Sequence, residues 1–127
     1  MIGALFISNA VSAQAKPWAT PATAKSIKNP VAQSPAVLKD GKTLYATNCA
    51  PCHGEKGKGD GPAAAALTTK PADHTSATVQ SETDGSLFWK LSEGRTPMPQ
   101  YKKILSETQR WELVNYIRSL SHKTGRK

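Results

Sequence analysis

Cys49-Ala50-Pro51-Cys52-His53 is the stretch that decides how this chain is read. It holds the only two cysteines among 127 residues, two residues apart, with a histidine directly behind the second. Three chemistries use that spacing. A dithiol–disulfide switch needs a lowered thiolate pKa, usually at a helix start in a βαβ setting, and no βαβ pattern is present. A structural zinc site needs four ligands, and the remaining histidines, His74 and His122, do not form a second pair. Covalent haem attachment needs two thiols for the two vinyl groups and a histidine that reaches the iron from the same side. It alone explains both cysteines and the histidine behind them, and it predicts one covalently bound haem c.

The length suits one domain. Residues 1–15, MIGALFISNAVSAQA, read as a secretory signal: the apolar run from Ile2 to Val11 is too short to span a bilayer, and Ala13-Gln14-Ala15 gives a small-x-small cleavage pattern. No Lys or Arg precedes the run. Residues 16–37 are rich in Pro, Ala, Ser, Thr and Lys without helical or strand period, which predicts an extended, mobile linker in which Trp18 is incidental. The folded domain is expected over 38–121, and 122–127 form a basic tail. The net charge of +8 belongs mostly to the ends. Within 38–121 there are 11 Lys and Arg against 9 Asp and Glu, and no aromatic-plus-basic platform of the kind that binds nucleic acid.

About four helices are predicted. The first runs from about Leu38 to Ala50 and delivers the Cys-x-x-Cys-His stretch at its end. The second is short, Pro62 to Leu67, with Pro in the first turn. The third is Asp84 to Glu93, capped by Asp84 and ended by Gly94. The fourth runs from Ser106 to about Leu120, opened by a capping box in Ser106-Glu107-Thr108-Gln109. Between Gly54 and Leu105 large apolar residues are few. A domain of about 84 residues with so thin a core usually wants a staple. A haem would give every segment one flat apolar surface to pack on.

The sixth iron position separates carriers from ligand-binding haem proteins. Met98, in Arg95-Thr96-Pro97-Met98-Pro99-Gln100-Tyr101, is the only methionine besides Met1, and two prolines stiffen the loop around it. It is the candidate axial ligand opposite His53, with His74 as rival. A thioether favours the ferrous state, so His/Met ligation predicts a raised potential. A ligating histidine normally donates its other ring N–H to a carbonyl or carboxylate. Gly59-Asp60-Gly61-Pro62 lies on a turn that can fold back, which makes the Pro62 carbonyl a candidate acceptor. The glycines of 54–61 lack the strand-before, helix-after context of a phosphate loop. No paired catalytic carboxylates and no nucleophile with its base are present.

Cys49-Ala50-Pro51-Cys52-His53-Gly54, Gly59-Asp60-Gly61-Pro62, Pro97-Met98-Pro99 and a terminal Trp-x-Leu-Val-x-Tyr-Ile helix together resemble the class I monohaem bacterial cytochromes c over residues 38–121. The resemblance implies an all-α fold of about four helices around one covalent haem. The first and last helices would cross with Gly41 and Tyr45 against Leu113 and Tyr116. Pro62 would support His53, and Trp89, Arg95 and Tyr101 would hydrogen-bond the propionates. His74 stands where an apolar residue is expected. The implied protein is a periplasmic one-electron carrier rather than an enzyme, working between a donor dehydrogenase or complex and an acceptor oxidase or reductase, with membrane contact peripheral at most. Lys56, Lys58, Lys102 and Lys103 would steer an acidic partner. Two alternatives stand beside it: a haem subunit of a larger oxidoreductase, and a small peroxidase-like or gas-binding protein whose Met98 detaches.

Overall fold

Ser34 caps the first long helix. Its hydroxyl accepts the Val37 N–H at 3.1 Å, and Pro35 occupies the first helical turn, where its missing N–H costs nothing. The computed structural model describes residues 17–121, and along them run six α-helices. They are α1 (Ala22–Lys25), α2 (Pro35–Asn48), α3 (Ala50–His53), α4 (Ala77–Gln80), α5 (Asp84–Glu93) and α6 (Glu107–Ser119), with 3₁₀ turns at Ala64–Ala66 and Tyr101–Lys103. The expected signal, residues 1–15, and the basic tail, 122–127, lie outside the described residues. Among those described there is no strand, and no helix is long and apolar enough to cross a membrane.

Helix α2 starts one turn earlier than its apolar pattern predicts, because the cap at Ser34 sets the boundary. The expected helix at Pro62 to Leu67 is only the 3₁₀ turn at Ala64–Ala66. Helix α5 has the predicted bounds, but its cap is Thr83, whose hydroxyl accepts from Ser86 N–H at 3.1 Å. Helix α6 carries the predicted capping box, with Ser106 and Gln109 satisfying each other's backbone N–H.

The core is made by α2, α5 and α6 together with Tyr101. Trp111, Tyr45, Leu113 and Val114 are its most completely buried side chains, joined by Leu87, Leu91 and Ile117. Helix α2 crosses α6 at Gly41, and this close approach is what the glycine permits: a Cβ there would sit 2.6 Å from the Glu112 carbonyl oxygen and 2.8 Å from Tyr116 Cβ. One turn on, Tyr45 packs its ring against Tyr116 at 5.1 Å. The expected crossing is therefore present, with Glu112 as the residue nearest the glycine. From Pro51 to Ser86 no residue belongs to the buried apolar cluster. That half of the domain is held by backbone hydrogen bonds and short turns.

The segment expected to be a mobile linker is seated on the helices. Thr20 and Ser86 share a hydrogen bond at 2.7 Å, both hydroxyls buried. Helix α1 lies so close to α5 that a Cβ on Gly85 would collide with the Ala24 carbonyl and meet the Ile27 carbonyl at 2.7 Å. Asn115 of α6 is buried and holds the arm twice, accepting from Asn29 Nδ2 at 2.8 Å and donating to the Val31 carbonyl at 3.0 Å. Gln33 adds a bond to the Asn115 carbonyl at 3.1 Å. Trp18 is not incidental either: its ring meets Trp89 edge-on at 6.4 Å and lies under the Arg95 guanidinium at 4.6 Å.

Candidate haem site

Helix α2 ends at Cys49, and a change of direction there starts the single turn of α3. Cys52 and His53 both direct their N–H to the Cys49 carbonyl, at 3.2 and 2.8 Å, so the two thiols and the imidazole are carried by one turn. The following loop wraps this turn through alternate residues. Gly59 N–H donates to the His53 carbonyl at 2.7 Å, Gly61 to Cys52 at 3.1 Å and Ala63 to Pro51 at 2.8 Å. These are the carbonyls that a helix end leaves without partners. A Gly- and Ala-rich loop can satisfy them because it brings its backbone close.

Cys49 and Cys52 are free thiols, each half-buried. Burial, with a smaller contribution from Cys52, pushes the Cys49 thiol up to about 12. This is the opposite of what a dithiol redox switch requires. The His53 imidazole is held neutral because burial lowers its pKa, against a smaller opposing effect of its bond to Ala72. Its Nδ1 donates to the Ala72 carbonyl at 2.9 Å, which leaves the lone pair on Nε2. Pro62, expected as that acceptor, is not the partner. Its turn lies against Pro51 through the Ala63 N–H, and the loop returns to His53 ten residues later at Ala72.

Met98 sits in a turn closed by reciprocal bonds with Arg95: Arg95 N–H to the Met98 carbonyl at 3.1 Å and Met98 N–H to the Arg95 carbonyl at 2.8 Å. Its side chain packs on the apolar cluster against which Cys49 also packs. His74, the rival to Met98, lies beside His53 and not across from it. Its ring is stacked face to face on His53, with centroids 4.0 Å apart and planes 19° apart. Rings ligating from opposite sides of an iron point their nitrogens at each other and do not stack. His74 Nδ1 is also engaged by the Tyr45 hydroxyl at 2.7 Å. Burial first, then His53, lowers the His74 pKa to about 3, with Asp73 opposing, so this ring too is neutral.

The three side chains expected at propionates are placed differently from one another. Tyr101 is buried and donates its hydroxyl hydrogen to the Asn48 carbonyl at 2.6 Å, so it has none left for a carboxylate. The bond ties the 3₁₀ turn after Met98 to the end of α2. Trp89 and Arg95 belong to the cluster with Trp18 beside the Met98 turn. Sequence reasoning missed the Ala72 carbonyl, the Asn48 carbonyl and the Tyr45–His74 pair. Two of these are backbone atoms that no residue type announces. The third joins residues 29 positions apart.

The residues present fit a covalent haem. Two thiols lie on one turn, a neutral imidazole offers Nε2, and a thioether stands in a closed loop on the apolar cluster against which Cys49 packs. The half of the domain from Pro51 to Ser86 lacks a core of its own. Trp111, 1% exposed and stacked on Phe88 at 3.9 Å, leaves its Nε1–H without an acceptor, the one such buried side-chain atom among the described residues. A buried donor of this kind normally finds a partner in the complete molecule.

No curated protein sequence matches the chain. Among solved structures it is similar to a chain of the reducing HAO-like protein complex Kustc0457/Kustc0458 of Kuenenia stuttgartiensis. The identity is 29% and the TM-score 0.67, over 76% of this chain and 50% of that one. This chain thus spans about half the length of that relative. It is also similar to the c-type cytochrome KustC0563, at 25% identity and TM-score 0.56, over 65% of this chain and 98% of that one. The cytochrome c family profile matches residues 38–121, the stretch that holds both thiols, His53 and Met98. The chain belongs to the cytochrome c family.

Proposed function

We propose that this chain is an exported, periplasmic one-electron carrier of the class I monohaem type, with one haem attached through Cys49 and Cys52 and ligated by His53 and Met98. The observation that carries the reading is the pairing of a His53 ring anchored through Nδ1 with a Met98 turn locked by Arg95, while Cys49 and Met98 pack on one apolar cluster. The haem, when bound, supplies a one-electron iron couple. The protein's part is to hold two ligands that do not move between oxidation states and to exclude water from them. A thioether donor and burial both favour the ferrous form, so the potential is high for a c-type haem. Lys56, Lys58 and Lys103 are exposed, and Lys102 pairs with Glu93 at 2.8 Å. These lysines would steer acidic donor and acceptor proteins, and neither nucleic acid nor bilayer insertion enters the reading.

The similarity to a chain of a multi-protein complex favours a second reading, in which the domain is a haem subunit of a larger oxidoreductase. Visible spectra of the exported protein, oxidised and reduced, with carbon monoxide added to the reduced form, test the first. A c-type spectrum unchanged by carbon monoxide supports fixed His/Met ligation. Binding of carbon monoxide would replace it with a ligand-binding protein. Purification from the native host separates the carrier, which elutes alone, from the subunit, which elutes with its partner.

A further inference from the structure

The His53 side chain has one hydrogen bond to hold it, and one is not enough to fix a ring plane. The torsion about Cβ–Cγ of a histidine is broad, and a carbonyl oxygen accepts over a wide range of directions. The Ala72 carbonyl at 2.9 Å therefore fixes where Nδ1 is but leaves the ring free to swing. The swing is blocked by His74, stacked on the ring face at 4.0 Å. His74 is itself held at three points. Its N–H donates to the Gly57 carbonyl at 2.6 Å, its carbonyl accepts from Gln80 Nε2 at 2.7 Å, and its Nδ1 shares a hydrogen bond with the Tyr45 hydroxyl at 2.7 Å. Tyr45 is 1% exposed and wedged at the α2–α6 crossing against Tyr116, and Gln80 also bonds the Ile117 carbonyl at 2.9 Å. An apolar side chain at 74 would fill the space but could not be pinned through the ring.

We propose that His74, anchored by Tyr45, is a positioning residue that sets the ring plane of His53 and thereby the orientation of the axial imidazole. This rests on the reading of His53 as an iron ligand. The plane of an axial imidazole decides which iron d orbital holds the unpaired electron of the low-spin ferric state. It therefore appears in the g-values of the EPR spectrum and in the spread of the haem-methyl NMR shifts.

The test uses the haem-loaded protein and the variants Tyr45→Phe, His74→Phe and His74→Leu. Tyr45→Phe and His74→Phe keep a ring in place and lose the hydrogen bond, so they should broaden the low-field EPR feature alike and narrow the methyl-shift spread. His74→Leu should do more, and adding Tyr45→Phe to it should change nothing further. If His74→Leu fails to load haem, the two ring-retaining variants decide. Variants that load haem, keep the wild-type visible spectrum and show unchanged EPR and methyl shifts would overturn the proposal alone. A wild-type protein without a low-spin c-type haem would overturn the ligation reading, and this one with it.

Discussion

Gly41 and Glu112 meet backbone to backbone: the space a β-carbon on Gly41 would occupy lies 2.6 Å from the Glu112 carbonyl oxygen. The two helices cannot separate there without pulling Tyr45 and Tyr116 apart. Gly41→Ala is therefore expected to destabilise the haem-loaded protein by about 1–3 kcal/mol, the usual cost of overpacking, despite alanine's better helix propensity. Denaturant unfolding checks this, and an unchanged midpoint would show that the crossing relaxes freely.

Met98→Ala should open the sixth position, so that the reduced protein gains carbon monoxide binding that the wild type lacks. Met98→His should keep six ligands and lower the potential by a sizeable part of the roughly 0.8 V span that axial ligands set. A redox titration reads the second effect. A potential unchanged by Met98→His would assign the ligand elsewhere.

Asn115→Ala leaves Asn29 without its acceptor and the half-buried Val31 without the donor to its carbonyl. The expected loss is about 1–3 kcal/mol for groups left unpaired. The arm should also detach, so trypsin should cut after Lys25 and Lys28 faster than in the wild type. Equal cleavage rates would mean that the arm's other contacts, among them Thr20 on Ser86, α1 on Gly85 and Gln33 on the Asn115 carbonyl, hold it without this side chain.

Glu112 faces Asp40 across the crossing. Its pKa is raised, by burial first and then by the neighbouring Asp40 carboxylate. A raised acid means that the native state holds this proton more tightly than the unfolded chain does. The contribution to stability is full below the ordinary carboxylate range and is lost as pH rises through the native pKa. Stability measured from acid to neutral pH should fall across that window, and Glu112→Gln should flatten the fall. The effect should stay under about 1 kcal/mol, the scale of a charge pair near the surface. A profile that Glu112→Gln leaves unchanged would remove this pair from the account.

Replacing Cys49 and Cys52 by serine should block attachment without touching the α2–α6 crossing. Amides of α6 should then keep more hydrogen-exchange protection than those of Gly57, Gly59, Gly61 and Ala63. Uniform loss of protection would show that the helices too depend on the haem.

What could be read from sequence was what is local. Ser106 and Gln109 sit three apart and cap α6 as their types dictate, and Gly94 ends α5 as predicted. The Cys-x-x-Cys-His turn, with its ligand and thiols, is local in the same sense. What escaped reading depended on residues far apart in the chain. The arm's prolines gave it no period, and its anchors, Gly85 and Asn115, lie in other helices. In retrospect a buried Asn on α6 and a Gly–Ser pair on α5 are signs of a backbone to be received there. The Ala72 carbonyl, and not the expected Pro62, meets His53 because the return of the loop at Gly57 and His74 is a tertiary event. Asp84 and Thr83 are adjacent and both able to cap, and sequence alone does not choose between them.

The stretch from Pro51 to Ser86 gives the apolar cluster no buried member and only Val79 at its edge, and this divides the molecule by how freely it can be rewritten. Helices α2, α5 and α6 are constrained side chain by side chain, so nearly every inward residue is committed. The loop is constrained through its amides and carbonyls, which every residue except proline supplies. Outside Cys52, His53, its glycines, Ala72, His74 and the side chains of Gln80, Asp84 and Ser86 that bond other elements, it is the part an engineer could redesign or lengthen, to carry a binding epitope or a surface charge, while the thiols, His53 and Met98 stay as they are.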